Sequence, residues 1–226
     1  MNGRVKRAAD GLWELLYPKR AVCMGCGDMS GLERDWLCEA CRQKLAKDWI
    51  GAHNVSPGTL DGAAFAFHYA GPAGGIVRHM KYNGVKRLAP MMCDAMARAF
   101  EAIQPTGAEW VVPVPMHPKR ARERCFNHSE LLARGVAERT GLQCVNALSR
   151  TRNTAQQARL TDDERRANLK DAFACGVSPE GRRVLLVDDV YTTGTTARSC
   201  AEALRGGGAK NVYLLCFALA KREDGG

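Results

Sequence analysis

The run Val184-Leu-Leu-Val-Asp188-Asp189-Val190-Tyr191-Thr192-Thr193-Gly194-Thr195-Thr196 constrains this chain more than any other stretch of it. Val184 to Val187 is short, apolar and β-branched, and the turn-forming Ser178-Pro179-Glu180-Gly181 precedes it, so it predicts a central strand of a parallel sheet. Asp188 and Asp189 then stand at the strand's carboxyl end. From Ala197 to Leu204 the pattern turns helical and closes at Gly206-Gly207-Gly208. Residues 190–196 are therefore expected to form the connecting loop, with backbone N–H groups gathered at a helix N-terminus, an arrangement suited to a phosphate monoester.

The acid pair narrows the choice of ester. Carboxylates repel phosphate oxygens at close range but accept hydrogen bonds from neutral hydroxyls, such as the 2′ and 3′ hydroxyls of a ribose. A 5-phosphoribosyl group offers both features; the bland alternative is an ordinary strand, turn and helix. The stretch resembles the signature of type I phosphoribosyltransferases, which implies binding of phosphoribosyl pyrophosphate (PRPP) with Mg²⁺. Other phosphate motifs fit poorly, since Gly194 is followed by two threonines instead of the Lys-Ser/Thr of a Walker loop, and no Gly-x-Gly-x-x-Gly follows a strand. Thr192 stands where relatives of the hypoxanthine type carry an Asp, which disfavours a 6-oxopurine acceptor.

A second motif lies near the start. Cys23-Met-Gly-Cys26 and Cys38-Glu-Ala-Cys41 are two knuckles, each able to bring two thiolates to one tetrahedral ion. Zinc is the expected occupant, in a structural role, because four thiolates leave no position for water. The alternative is a redox pair or two unrelated thiol pairs. The intervening residues are too sparsely apolar to fold unaided, so the metal would organise them. The other cysteines, at 93, 125, 144, 175, 200 and 216, lack ligand spacing and are expected to be mostly small buried residues.

With 226 residues, the chain has room for one sizeable α/β domain and a small appendage. The apolar stretch Gly11 to Tyr17 is short, broken by Glu14 and followed by Pro18, so neither an export signal nor membrane insertion is expected. A cytoplasmic location follows, and with it reduced cysteines. The net charge of +9 suits polyanionic partners, PRPP or nucleic acid alike, while an aromatic content of 7% offers few stacking platforms for bases.

Turn formers from His53 to Gly62 mark a linker, so the expected division is a helix and four-cysteine zinc module over 1–54 and a phosphoribosyltransferase-like domain over 55–226. Gln43 to Trp49 suggests a short helix in the module. In the domain, strands are predicted at 63–69, 110–114, 143–148, 184–187 and 211–219, and helices at 76–82, 88–103, 129–139 and 197–204. This alternation predicts a doubly wound parallel sheet. Two loops at strand ends are basic. The first, from Pro115 to Arg124, includes Lys119 and Arg120, which would either meet a pyrophosphate or belong to a solvated helix face. The second runs from Arg150 and Arg152 to Lys170 and is long enough for a lid. His117 and His128 read as hydrogen-bonded bystanders, and Lys81 as a snorkelling surface lysine.

Taken together, the paired knuckles, the His68-Tyr-Ala-Gly and Met80-Lys81-Tyr82 segments, Val112-Pro-Val-Pro-Met-His-Pro-Lys-Arg120, Arg122-Glu-Arg-Cys-Phe-Asn127, Arg150-Thr-Arg-Asn-Thr154 and the signature loop resemble the bacterial ComF family of competence-associated proteins. The resemblance spans nearly the whole chain. It implies a zinc module, a type I phosphoribosyltransferase fold, and a role in handling single-stranded DNA with a competence helicase. Cys125 and His128 depart from the Gly and Gln usual in the family. Two readings are open: transfer of a phosphoribosyl group to an unknown acceptor, linked to DNA uptake, or a non-catalytic single-stranded-DNA-binding factor with PRPP as its regulatory ligand.

Overall fold

The computed structural model describes residues 22–28, 36–53, 59–103, 107–116, 126–151 and 172–220. Its centre is a six-stranded sheet. In chain order the strands are β1 (Trp49–His53), β2 (Gly62–His68), β3 (Trp110–Pro113), β4 (Gln143–Cys144), β7 (Arg183–Tyr191) and β8 (Asn211–Leu219), arranged β1-β2-β8-β7-β3-β4. The last five of these run parallel and β1 is antiparallel to β2. Strand β7 thus lies inside the sheet between β8 and β3, matching the reading of its apolar run as central.

Alternation along the inner strands divides the core into two layers. Ala64, Val111, Leu185, Val187, Leu215 and Phe217 face one way, against helices α2 (Gly71–Asn83), α3 (Ala89–Glu101) and α4 (His128–Thr140). Phe65, Val112, Val184, Leu186, Leu214 and Cys216 face the other, against α5 (Thr195–Gly206). Two of the helices bury residues at i, i+3, i+4 and i+7 spacing: Ala197, Cys200, Ala201 and Leu204 in α5, and Ala89, Met92, Cys93 and Met96 in α3. Each fully buried large side chain, such as Phe65 or Phe217, contributes about 1.5–3 kcal/mol. The expected α/β, mostly parallel sheet is present.

Several elements differ from expectation. The predicted strand over 143–148 splits: β4 ends at Cys144, the amide of Ala147 turns back to the carbonyl of Val145 (2.9 Å), and Leu148–Arg150 becomes β5. That strand pairs with β6 (Phe173–Cys175) in a separate antiparallel ribbon against α5. The helix expected over 43–49 is α1 (Glu39–Lys47), and Trp49 opens β1 instead. Strand β7 continues through Tyr191, because its ladder with β8 extends to Val190↔Ala218 and Tyr191↔Leu219. Asp188, Asp189, Val190 and Tyr191 therefore belong to the strand, and the connecting loop shortens to 192–194. The anticipated division near residue 55 lies outside the described residues.

The cysteine knuckles do not stand apart from this core. Cys23, Met24, Leu37, Cys38, Cys41 and Leu45 share one buried cluster with Ile76, Val77 and Met80 of α2. The closest approach is at Gly75, where an added Cβ would collide with the carbonyl oxygen of Gly25 and lie 2.7 Å from that of Met24. Gly75→Ala must therefore push the knuckle off α2. It should destabilise the protein by about 1–3 kcal/mol in denaturant unfolding, whereas Gly206→Ala, with no atom within 4 Å of its added Cβ, should be neutral or slightly stabilising. Equal stability of the two variants would contradict this packing.

Candidate functional site

At the carboxyl ends of β2, β3 and β7 the chain encloses a cavity of about 390 Å³, lined by Asp188, Asp189, Val190, Thr192 and Thr196 together with Arg150, Ser129 and Lys81. Tyr191 and Gly194 line a smaller annexe of about 40 Å³ beside it. Of the residues singled out from the sequence, the acid pair, much of the Thr/Gly stretch and Arg150 thus converge. Lys119, Arg120, Arg152 and His117 lie outside the described residues.

Each acid has its own partner. The hydroxyl of Ser129, in the first turn of α4, donates to Asp188 Oδ1 (2.7 Å), and the amide of Asp189 donates to the same oxygen (2.9 Å). Ser129 is held there by the start of its helix, since its own amide donates to the side chain of the N-cap Asn127 (3.2 Å). Asp189 is 8% exposed at its side chain and pairs with Lys81 Nζ at 2.8 Å. Burial raises the Asp188 carboxyl to about 7; the negative charge of Asp189 adds to the rise, and Lys81, Ser129 and the Asp189 amide oppose it. Burial opposes the charged form of Lys81, but the charge and hydrogen bond of Asp189 outweigh it and raise its pKa above the ordinary lysine value.

The loop after β7 is shaped by glycine. Gly194 has φ +76°, which favours glycine, and a Cβ there would also collide with the ring and hydroxyl of Tyr191. Gly194 is the N-cap of α5 and makes no side-chain cap, so the first turn of the helix faces the loop without a capping carboxylate. Thr193 and Thr195 join their hydroxyls at 2.8 Å, and Arg198 Nη2 donates to the carbonyl of Thr193 (2.9 Å).

Lys81 corrects the sequence reading. It is no surface snorkeller: its side chain is 24% exposed and reaches into the cavity. The signal was present, because Ala73, Val77 and Lys81 follow one another at i+4 on the buried stripe of α2, and a buried acid pair needs a counter-ion. Ser129, Asn127 and Tyr69 also line the cavity without having been singled out as site residues. His128, also part of the lining, is almost wholly buried, and its Nε2 donates to the carbonyl of Met80 (3.1 Å).

The four knuckle cysteines Cys23, Cys26, Cys38 and Cys41 form a second centre, their sulfurs all within 4.8 Å of one another. The amides of Gly25 and Cys38 donate to Cys23 Sγ at 3.4 and 3.3 Å. Burial would raise the Cys23 thiol, but the amides of Cys38, Cys26 and Gly25 more than reverse that and bring it to about 6. The amides favour thiolate at Cys23, while Cys26, despite the Asp28 amide, is pushed up to about 11 and burial raises Cys41; it is the meeting of four sulfurs within 4.8 Å of one another that fits a tetrahedral ion such as zinc. Of the remaining cysteines, Cys93, Cys200 and Cys216 are buried, Cys144 and Cys175 are partly so, and Cys125 lies outside the described residues. No helix among the described residues is long and apolar enough to cross a membrane.

Comparison with known proteins agrees with this geometry. Residues 130–225 match the phosphoribosyl transferase domain family. Competence protein F of Haemophilus influenzae is 30% identical over 88% of this chain and 96% of its own length. DNA utilization protein YhgH of Escherichia coli K12 is 32% identical over 66% of this chain and 68% of its own. Among solved structures, adenine phosphoribosyltransferase of Leishmania tarentolae is similar at 16% identity and a TM-score of 0.41, covering 84% of this chain and 90% of that one, too distant to build on. A relative matched over almost its entire length, together with the domain match over α4, β7, α5 and β8, shows that the chain belongs to the ComF family of competence proteins with a phosphoribosyltransferase fold.

Proposed function

We propose that this protein binds PRPP with Mg²⁺ at the Asp188–Asp189 cavity and transfers its phosphoribosyl group to an acceptor nucleophile, in the service of DNA uptake. The observation that carries the reading is the meeting of two carboxylates and a Thr/Gly helix start on one cavity of about 390 Å³. Asp188 and Asp189 accept hydrogen bonds from the ribose hydroxyls. The amides and hydroxyls of residues 192–196 take the 5′-phosphate, with Val190 and Tyr191 as the strand that presents them. The pyrophosphate end extends toward Arg150 and toward Met116, beyond which the sequence carries Lys119 and Arg120; Arg152 follows Arg150. These cations stabilise the negative charge that builds up as pyrophosphate departs. Mg²⁺, when bound, supplies further neutralisation of that group.

In a second reading the chain is a non-catalytic single-stranded-DNA-binding factor that works with a helicase and uses PRPP as a regulatory ligand; the relatives' names, a DNA utilization protein and a competence protein, support its link to DNA. PRPP-dependent DNA binding without turnover would favour it over transfer. In both readings we assign the four-cysteine centre to structural zinc and the protein to the cytoplasm.

Metal analysis of protein purified without chelator should return one zinc per chain, and Cys38→Ser should lose it; a metal-free wild type would remove the zinc assignment. PRPP with Mg²⁺ at about a hundred times its Kd should stabilise the protein by about 2.7 kcal/mol, which raises Tm by about 5–10 °C for a chain of this size. The double variant Asp188→Asn with Asp189→Asn should lose that shift. It should also melt lower than wild type without ligand, because the Lys81 ammonium is left without its carboxylate. Equal shifts in both proteins would refute the site.

The Asp188 carboxyl has a pH signature. Its folded value near 7 lies above the ordinary 3.8, so the folded state holds this proton more tightly. Its contribution to stability is therefore fully present below about pH 4 and declines as pH rises to 7. Between those limits wild-type stability should fall relative to Asp188→Asn by up to about 4 kcal/mol. Parallel stability curves would show that Asp188 titrates normally.

A further inference from the structure

Two neighbouring carboxylates at the buried end of a strand repel one another, and such a pair takes up a proton or a cation. Here a cation belonging to the chain already sits against it. Lys81 Nζ is 2.8 Å from Asp189 Oδ1, close enough to Asp188 for its charge to act on that carboxyl as well. We propose that Lys81 is the resident counter-cation of the Asp188–Asp189 pair: in the unliganded protein its ammonium occupies the place a divalent ion would take, so that the acids do not bind free Mg²⁺ and metal enters only with a ligand that brings its own oxygen donors.

The surroundings of Lys81 are built for this. Its backbone is fixed in the last turns of α2, where Val77 and Met80 are wholly buried and the carbonyl of Met80 accepts the hydrogen bond from His128. Its stem continues the buried Ala73–Val77 stripe, so the ammonium is delivered to the cavity by packing and does not need to be captured from solvent. Asp189 stays paired, and Asp188 keeps its two hydrogen bonds from Ser129 and the Asp189 amide. A divalent ion approaching the acids would be opposed by a fixed positive charge at hydrogen-bond distance from one of them. A polyanionic ligand, by contrast, would meet a cavity whose lining carries Lys81 and Arg150 as well as the two carboxylates.

The inference rests on the proposed ligand site only for the ligand's entry; the exclusion of free metal can be tested alone. Zinc-loaded protein is titrated with Mn²⁺ in the absence of PRPP, with free Mn²⁺ followed by electron paramagnetic resonance. Wild type should bind no more Mn²⁺ than Asp189→Asn, which lacks one of the acids. Lys81→Met, which keeps the length of the stem, should bind Mn²⁺ about tenfold more tightly or better, the effect of removing one opposing charge. Adding Asp189→Asn to Lys81→Met should abolish the gain, and Lys81→Arg should behave as wild type. Tight Mn²⁺ binding by wild type that Asp189→Asn removes would overturn the proposal, even if Lys81→Met did not fold. Equal Mn²⁺ affinity in Lys81→Met and wild type would overturn it as well. The PRPP melting shift separates the two ideas. A normal shift combined with unchanged Mn²⁺ binding in Lys81→Met sinks only the counter-cation. No shift, with the Mn²⁺ results as expected, sinks only the phosphoribosyl reading.

Discussion

The ion pair between Lys81 and Asp189 is the contact on which the site depends. A carboxylate that is 8% exposed at the end of a strand buried on both faces is tolerable only with a partner, and breaking a buried pair costs about 3–5 kcal/mol. The sheet supplies the acid through β7 and the helical layer supplies the cation through α2. Ser129 of α4 closes the arrangement from the third side by donating to Asp188. Three elements from distant parts of the sequence are thereby tied at one point, and the cavity exists because they meet there.

Helix α2 has two occupations. Its first half carries Gly75, against which the Cys23–Cys26 knuckle lies, and its last turns carry Met80 and Lys81. The knuckle approaches so closely that the carbonyl of Gly25 rests where a side chain at Gly75 would be. A rigid stretch of helix about 9 Å long, six residues at 1.5 Å each from Gly75 to Lys81, thus connects the four-cysteine centre to the acid pair. The cysteines contribute to the same buried layer as Ile76 and Val77, so the folding of the knuckles and the placement of Lys81 are parts of one packing problem.

The central strand, the acid pair and the helix that follows were legible in the sequence because each has a local signature: a β-branched run, adjacent carboxylates, and i, i+3, i+4 spacing closed by glycine. The cysteine cluster was legible for the same reason, through its spacing. What escaped were pairings of residues far apart in the chain. Ser129 and Asp188 are 59 positions apart, and nothing local in either segment marks the bond. A lysine in sequence suggests a surface residue, and only the position of Lys81 on the stripe of Ala73 and Val77 points inward. The split of 143–148 into β4 and β5 depends on a backbone turn at Ala147 that an apolar alternation does not reveal.

Strand β1 has a consequence for how this chain can be divided. It pairs along β2 through Trp49↔Phe67, Gly51↔Phe65, Ala52↔Ala64 and His53↔Ala63, and β2 is apolar on both faces. A polypeptide begun after His53 would leave that edge bare, a row of unpaired amides and carbonyls flanked by Phe65 and Phe67. Such an edge is a template for pairing with another copy. The segment that carries the cysteines therefore also covers this long apolar edge of β2 and moves the free edge of the sheet to the short strand β1.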